Sequence, residues 1–338
     1  MYIVTGGAGF IGSNLVEALN KRGEDDILVI DELDDVSKIH NLSDCRITDY
    51  QDKDDFLKNV ERSGLPSETV AVLHMGACSN TMEEDGQYVM RTNFEYSKKL
   101  LHACTENNTP LIYASSAAIY GSGTTFQETE EHEFPLNAYA FSKLLFDRYV
   151  RKLEPGRNSQ AVGLRYFNVY GPREHHKESM ASMIYQMIRQ FTELGKLRLF
   201  RGTNGFGDGE QRRDFISVED IVRVNLFFLD HPQLSGIFNV GTGSARSFNE
   251  AAVAIINSYR HSMGQPPATL EDSIAGGLIE YFDMPAVLRE RYQSFTEADI
   301  TRLCNVGFST KFYSLEKGVR AYLAWLRKDL SCDIPIDE

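Results

Sequence analysis

The sequence predicts an α/β fold built on a doubly wound parallel sheet, and three observations predict it. A first apolar run, Tyr2–Val4, leads through Thr5 into Gly6-Gly7-Ala8-Gly9-Phe10-Ile11-Gly12, a glycine loop that opens a helix. A second apolar run, Ile27–Ile30, ends on Asp31, 19 residues beyond Gly12. Apolar runs of strand type then alternate with amphipathic stretches through the first half of the chain, which is the pattern of parallel strands joined by crossover helices. Glycines at these positions permit a tight turn and close backbone approach to a pyrophosphate at the helix N-terminus. An acid at the end of the second strand can accept from a ribose hydroxyl. The expected cofactor is therefore a nicotinamide-type dinucleotide on a Rossmann sheet.

Each element has a local reason. Strands are expected at 2–5, 27–31, 45–47, 69–74, 111–115 and 161–166, where short apolar runs are bounded by polar or turn residues. The first helix places Ile11, Leu15 and Leu19 on one face and stops at Gly23. A helix over 139–153 follows the fifth strand. After about residue 168 the alternation breaks down. Residues 179–194 read as helix, 202–212 as a glycine-rich loop and Ile237–Val240 as one more strand. No repeat or low-complexity linker separates the halves, so the second, smaller substrate domain is expected to be interwoven with the first. The dinucleotide-binding domain is expected over 1–168 with about 214–240 and 289–312. The substrate domain takes about 169–213, 241–288 and 313–338.

Composition narrows the function classes. The 338 residues carry a net charge of −13 with no long basic tract, which argues against a nucleic-acid groove or an anionic membrane surface as partner. No apolar run approaches the roughly 18–20 residues of a spanning helix. The first strand begins at once, with no basic segment or cleavage site of a signal peptide. The five cysteines, Cys45, Cys78, Cys104, Cys304 and Cys332, show no metal or redox spacing. That usage is expected of reduced thiols in a cytoplasmic protein without a metal.

The chemistry-bearing residues follow the fifth strand. Tyr139 and Lys143 are four apart on a helix and so share one face. An ammonium beside a phenol favours phenolate and brings a group that titrates near ~10 toward neutral pH. Ser115 and Ser116 end the strand, where a doubly wound sheet places its ligands. Either could bond a reacting hydroxyl, or cap the following turn. Arg213 is a candidate bidentate phosphate donor in an acidic chain.

With glycine loop, strand serine and Tyr-x-x-x-Lys together, the chain resembles the extended short-chain dehydrogenase/reductase superfamily. Arg165-Tyr166-Phe167-Asn168-Val169-Tyr170-Gly171-Pro172 and Arg213-Asp214-Phe215 are similar to two further elements of that group. A narrower resemblance is carried by His74–Ser79, Tyr113–Gly121, Pro172–Ser182 and Tyr292–Thr296, and within Pro172–Ser182 most of all by Lys177-Glu178-Ser179-Met180-Ala181-Ser182. These are similar to the ADP-glyceromanno-heptose 6-epimerase family, over residues 1 to about 328.

The resemblance implies an isomerase that oxidises C-6 of a nucleotide-linked heptose and reduces it from the other face, for lipopolysaccharide core. It implies Tyr139 and Lys177 as the two proton-handling groups, with Ser116 on the reacting oxygen and Lys143 on the cofactor ribose. For the cofactor it implies Gly6, Gly9, Phe10, Ile11, Gly12, Asp31, Glu32, Lys38, Lys53, Met75, Gly76, Ala77, Cys78, Ser79, Asn93, Tyr139, Lys143, Val169 and Lys177. Met75 stands where a glutamate is usual. For the substrate it implies Ser116, Asn168, Ser179, Gln186 (usually histidine), Phe200, Arg201, Gly202, Thr203, Arg213 and Tyr292. Asp31 alone favours NAD, whereas Lys38 can neutralise a 2′-phosphate. The reading taken is NADP, with NAD as the alternative. The family also implies a homo-oligomer, a pentamer. Other readings are a UDP-sugar 4-epimerase or dehydratase of the same fold, or a dinucleotide-binding regulator without catalysis.

Overall fold

The computed structural model describes residues 1–33, 35–285 and 293–327. The chain forms two compact units. One comprises Met1–Tyr166, Ile221–Val240 and Asp299–Ser309, and the other Phe167–Asp220, Gly241–Ala298 and the segment from Thr310.

The first unit is built on a seven-stranded parallel sheet. Its strands are β1 (Tyr2–Thr5), β2 (Ile27–Asp31), β3 (Asp49–Asp52), β4 (Ala71–His74), β5 (Leu111–Ser116), β6 (Ala161–Tyr166) and β11 (Gly236–Val240). Their order is β11-β6-β5-β4-β1-β2-β3, with every pair parallel. The order reverses between β1 and β4, which opens a crevice at the carboxyl ends of those strands, the usual ligand position. Helix α1 (Phe10–Lys21) follows β1, and Leu15, Val16 and Leu19 form its buried stripe. Each such side chain contributes roughly 1.5–3 kcal/mol by leaving water. Helix α2 (Lys53–Ser63) is capped by Asp52, and α5 (Ala138–Leu153) by Asn137, whose side-chain oxygen accepts from the Ala140 amide at 2.8 Å. Helix α3 (Gly86–Val89) passes through a π-helical turn, Met90–Glu95, into α4 (Tyr96–Glu106). Phe56, Val60, Leu100, Leu101, Phe146 and Val150 pack with Ile3, Leu28, Ile30 and Val72 into a core.

The third strand differs from the sequence expectation. It runs Asp49–Asp52, not 45–47. The connector is committed elsewhere: the Arg46 amide donates to the Asn20 side chain at 2.7 Å, and the Thr48 amide to the Ile27 carbonyl at 2.9 Å. An edge strand needs little apolar character, so the polar run Asp-Tyr-Gln-Asp takes the role.

Among the described residues, the second unit has no large sheet. Its strands pair two by two: β7 (Asn168–Tyr170) with β10 (Phe215–Ser217), β8 (Leu197–Phe200) with β13 (Ile279–Phe282), and β9 (Arg212–Arg213) with β12 (Arg246–Ser247). Helices α6 (Met183–Leu194), α8 (Phe248–Ser262) and α11 (Leu315–Leu326) bury Ile184, Ile188, Ala251, Ile255, Val319 and Leu323 in a common core. The helix expected over 179–194 begins only at Met183. Glu178 has φ +46° and Ala181 is extended, so no helix crosses them. The Ser182 hydroxyl then caps α6 by accepting from the Tyr185 amide at 3.1 Å. His175–Met180 form a 3₁₀ turn instead.

Candidate active site

The glycine loop forms a cradle that no side chain can share. Gly6 has φ +64°, and a Cβ there would lie 2.6 Å from the Gly76 amide nitrogen. A Cβ on Gly12 would overlap the Gly6 carbonyl oxygen. Gly9 precedes α1 in an extended conformation and contributes no side-chain cap, and no acid stands in the first turn. The positive end of a 12-residue helix, starting at Phe10, Ile11 and Gly12, therefore faces the loop. These residues fit a pyrophosphate.

Asp31, at the carboxyl end of β2, is buried against this loop. Its carboxylate accepts from the Ala8 amide at 2.9 Å and the Glu32 amide at 2.7 Å. The Lys38 ammonium lies 3.5 Å from it and donates to the Glu32 carbonyl at 2.8 Å. Lys53, the first residue of α2, is paired with the Glu32 carboxylate. Burial pulls Lys53 down, but Glu32 outweighs it and holds the ammonium above its ordinary range. Asp31, Glu32, Lys38 and Lys53 are thus brought together, with Lys38 beside Asp31 and Lys53 on Glu32.

At the end of β5 three successive residues engage α5. The Lys143 ammonium donates to the Ala114 carbonyl at 2.8 Å, Ser115 donates to the Asp147 carboxylate at 2.9 Å, and the Ser116 hydroxyl lies beside the Tyr139 phenol. Ser116 also caps the next turn, accepting from the Ala118 amide at 3.1 Å. Capping and chemistry are both available to the same hydroxyl, and Ser115 faces the core. Burial pushes the Tyr139 phenol up, and the neighbouring Ser116 hydroxyl only partly offsets this. Lys143 is pulled down to about 8 by burial, against the opposing pull of Asp147. Before substrate binds, Tyr139 is therefore a protonated donor rather than a phenolate.

Met75, Gly76, Ala77, Cys78 and Ser79 continue β4 past the glycine cradle. Tyr166 donates to the Met75 sulfur at 3.5 Å. Asn93 is buried, and its side chain holds the Cys78 backbone from both sides, accepting from the amide at 2.8 Å and donating to the carbonyl at 3.0 Å. Burial raises the Cys78 thiol.

Behind this face lies a charged interior that sequence reasoning missed. Arg165, wholly buried on β6, pairs with Asp147 at 2.9 Å and with Glu133. Arg151 joins Glu133 at 2.8 Å, and Tyr113 donates to Asp147 at 3.0 Å. The available signal was a lone arginine within the strand Ala161-Val162-Gly163-Leu164-Arg165-Tyr166.

In the second unit, Asn168 donates to Thr296 at 3.0 Å and to the Asp214 carbonyl at 3.2 Å, and Val169 pairs with Ile216. Lys177 lies in the 3₁₀ turn, its amide donating to the Glu174 carbonyl at 3.0 Å. Burial lowers its ammonium, and Glu174 opposes this. The buried Glu174 carboxylate accepts from the Gly171 amide at 3.0 Å and the Ser182 hydroxyl at 2.9 Å, closing the loop that carries Lys177. Ser179 is exposed, and Gln186 donates to the Glu178 carbonyl at 2.5 Å.

Phe200 packs at a tilt on Phe282 with ring centres 4.9 Å apart, and Arg201 lies 3.6 Å from Asp283. The loop after them is folded back on itself. Gly202 donates to Asp208 at 2.8 Å, and Gln211 donates to the Arg201 carbonyl at 3.0 Å and the Thr203 hydroxyl at 3.4 Å. The Arg213 guanidinium lies 5.9 Å from the Phe248 ring centre. Its neighbour Asp214, also missed from sequence, is a buried strut accepting from Thr242, Gly243 and Ala298. Tyr292 and Cys332 lie outside the described residues. Among the described residues, no helix is long and apolar enough to cross a membrane.

Comparison with known proteins gives a consistent picture. Residues 2–241 match the NAD dependent epimerase/dehydratase family. The chain is 52% identical over 324 residues to the ADP-L-glycero-D-manno-heptose-6-epimerase of Cupriavidus pinatubonensis, covering 96% of this chain and 98% of that one. It is 51% identical to the enzyme of the same name from Thiobacillus denitrificans, covering 95% and 97%. Among solved structures, the Helicobacter pylori ADP-L-glycero-D-manno-heptose-6-epimerase is similar with a TM-score of 0.78 at 30% identity, covering 96% of each chain.

Proposed function

The chain belongs to the NAD dependent epimerase/dehydratase family and, within it, to the ADP-L-glycero-D-manno-heptose-6-epimerases, and on that premise we propose that it converts ADP-D-glycero-β-D-manno-heptose to its L-glycero epimer using NADP. The observation that carries the chemistry is the placing of the Ser116 hydroxyl beside the Tyr139 phenol and of the Lys143 ammonium on the Ala114 carbonyl, at the carboxyl end of β5 in the unit that holds the glycine cradle.

C-6 bears a hydroxyl with no neighbouring carbonyl, so its C–H is not acidic and plain proton abstraction cannot invert it. A bound nicotinamide dinucleotide supplies the hydride acceptor and donor that inversion requires. The protein supplies orientation and protons. Ser116 holds the C-6 oxygen in register with Tyr139, and Tyr139 exchanges a proton with that oxygen. Lys143, beside them, has its charge poised near neutral pH. Lys177 is the second proton-handling group in this reading, and its burial makes the required deprotonation easier. Arg213 is assigned to the diphosphate, and Asn168, Ser179, Gln186, Phe200, Arg201, Gly202 and Thr203 to the sugar and nucleotide. The product serves lipopolysaccharide core synthesis, and the enzyme is assigned to the cytoplasm as a homo-oligomer. Light scattering should return five chain masses.

The test is incubation with the D-glycero substrate carrying deuterium at C-6, followed by chromatography and mass analysis. Conversion with the label retained, and no gain of deuterium at C-6 from heavy water, is the expected result. Solvent deuterium at C-6 would overturn direct hydride return. Turnover of UDP-glucose in place of the ADP-heptose would move the chain to the 4-epimerases.

The choice of NADP rests on Lys38, 3.5 Å from Asp31. Lys38→Ala should weaken NADP binding about ten- to a hundredfold, in line with a charge-assisted hydrogen bond of roughly 1.5–3 kcal/mol, and leave NAD nearly unchanged. Titration calorimetry with both cofactors checks it. Equal losses would place Lys38 elsewhere in the site.

A further inference from the structure

One buried titratable group takes no part in the chemistry above. His74 ends β4, with 3% of its surface exposed, between two hydroxyls. Its Nδ1 lies 2.6 Å from the Thr5 hydroxyl and its Nε2 2.8 Å from the Ser97 hydroxyl.

The neighbours fix the direction of every proton. The Asn93 carbonyl takes the Ser97 proton at 2.6 Å, so Ser97 accepts from Nε2 and a neutral ring takes the Thr5 proton on Nδ1, while Thr5 also accepts from the Gly76 amide at 3.1 Å. Nε2 thus carries the ring proton. The Asn93 side chain clamps the Cys78 backbone and donates to the Ser142 hydroxyl at 3.0 Å, and Ser142 donates to the Tyr139 carbonyl at 2.7 Å. Thr5, His74, Asn93, Ser97 and Ser142 are all buried.

We propose that His74 is a positioning residue, whose neutral imidazole sets the spacing between the glycine cradle, the loop Gly76–Cys78 and the helix start that carries Tyr139. The proposal rests on the reading of this unit as a dinucleotide site. Burial, with the Lys143 charge as a second cause, holds the imidazole down at about 3, so it is neutral at neutral pH. A cationic ring would carry a proton on Nδ1, where Thr5 already directs one. Gly6 and Gly76 are in such close approach that a single Cβ would not fit, so a shift of β4 against β1 reaches the cradle directly. The same shift passes through Asn93 and Ser142 to Tyr139.

The experiment uses enzyme stripped of dinucleotide, with His74→Ala, His74→Gln and Ser97→Ala beside the parent. Affinity for NADP and NAD is measured by calorimetry, kcat by epimer formation, and folding by thermal melting. His74→Ala and Ser97→Ala should each bind dinucleotide about tenfold more weakly, the effect of one lost buried hydrogen bond. They should also lose up to about 10²-fold in kcat through misplacement. His74→Gln, whose amide both accepts and donates, should recover most of both. Variants that melt lower but keep affinity and kcat within twofold of the parent would overturn the proposal and leave His74 a packing residue. Should His74→Ala fail to fold, Ser97→Ala and His74→Gln decide by the same criteria. A parent that binds dinucleotide without turning over the ADP-heptose would sink the functional reading, and the affinity arm would then decide alone. A parent that binds no dinucleotide would overturn both.

Discussion

Tyr139→Phe should fold, take up dinucleotide and turn over about 10²–10⁴-fold more slowly than the parent, the usual range for one general acid–base group. The substitution removes a single oxygen from a half-buried ring on α5. The ring packing survives, while the proton that Ser116 helps to orient is lost. The direction of the phenol's shift sharpens the expectation. Because burial keeps Tyr139 protonated, the residue enters the reaction as a donor of a proton to an oxygen that gains charge, or receives one only when substrate and cofactor alter its surroundings. Steady-state rates with circular dichroism as a folding control are the measurement, and activity within a few-fold of the parent would remove Tyr139 from the chemistry. Lys177→Met belongs in the same series. It should lose activity comparably, and an active variant would make Lys177 a residue of a structural loop.

Arg165→Met should cost about 3–5 kcal/mol of stability, the scale of breaking a buried ion pair from one side. The guanidinium serves two carboxylates on β6's buried face, Asp147 and Glu133. Removing it leaves Asp147 with only the Tyr113 and Ser115 hydroxyls. Urea denaturation with far-ultraviolet circular dichroism reads the loss, and a change under about 1 kcal/mol, as for an exposed pair, would show that the network is idle. Acid provides an independent check. Burial pushes the Glu133 carboxyl up, but the hydrogen bond from Arg151 and the charge of Arg165 outweigh it and depress the folded pKa. Its contribution is thus fully present above the unfolded value near ~4.3 and fades as pH falls through the lower folded value. The parent should lose stability in that window, and a variant carrying Glu133→Gln should lose less.

The first unit was largely legible because its signals are local. The glycine loop, the acid ending β2 and the Tyr-x-x-x-Lys spacing each depend on a few neighbouring residues. Strand–helix alternation gave five of the seven sheet strands close to their observed bounds, and Ile237–Val240 was read as one more strand. The edge strand β3 was misplaced because its residues are polar and its position is set by pairing with β2. The second unit's two-residue strands β9 and β12 leave no periodic trace. They exist because Arg213 meets Arg246, 33 positions further along the chain. The buried acids were illegible for a related reason. Asp147, four residues after Lys143, reads as one more charge on a helix surface, and only the distant Arg165 makes it an interior group. Asp214 and Glu174 likewise owe their roles to backbone amides that the fold brings to them.

The alternation of the two units along the chain bears on how such a gene can change. Residues pass from the first unit to the second at Phe167, return at Ile221, leave again at Gly241, return at Asp299 and leave at Thr310. No contiguous coding stretch specifies either unit. A single crossover between this gene and a relative's would join half of one sheet-bearing unit to mismatched pieces of the other, for instance Phe167–Asp220 from one parent beside Gly241–Ala298 from another. Those two segments contribute Ile184 and Ile255 to the same core. A single crossover therefore cannot transplant one unit whole; several matched exchanges, at the passages between the units, would be needed.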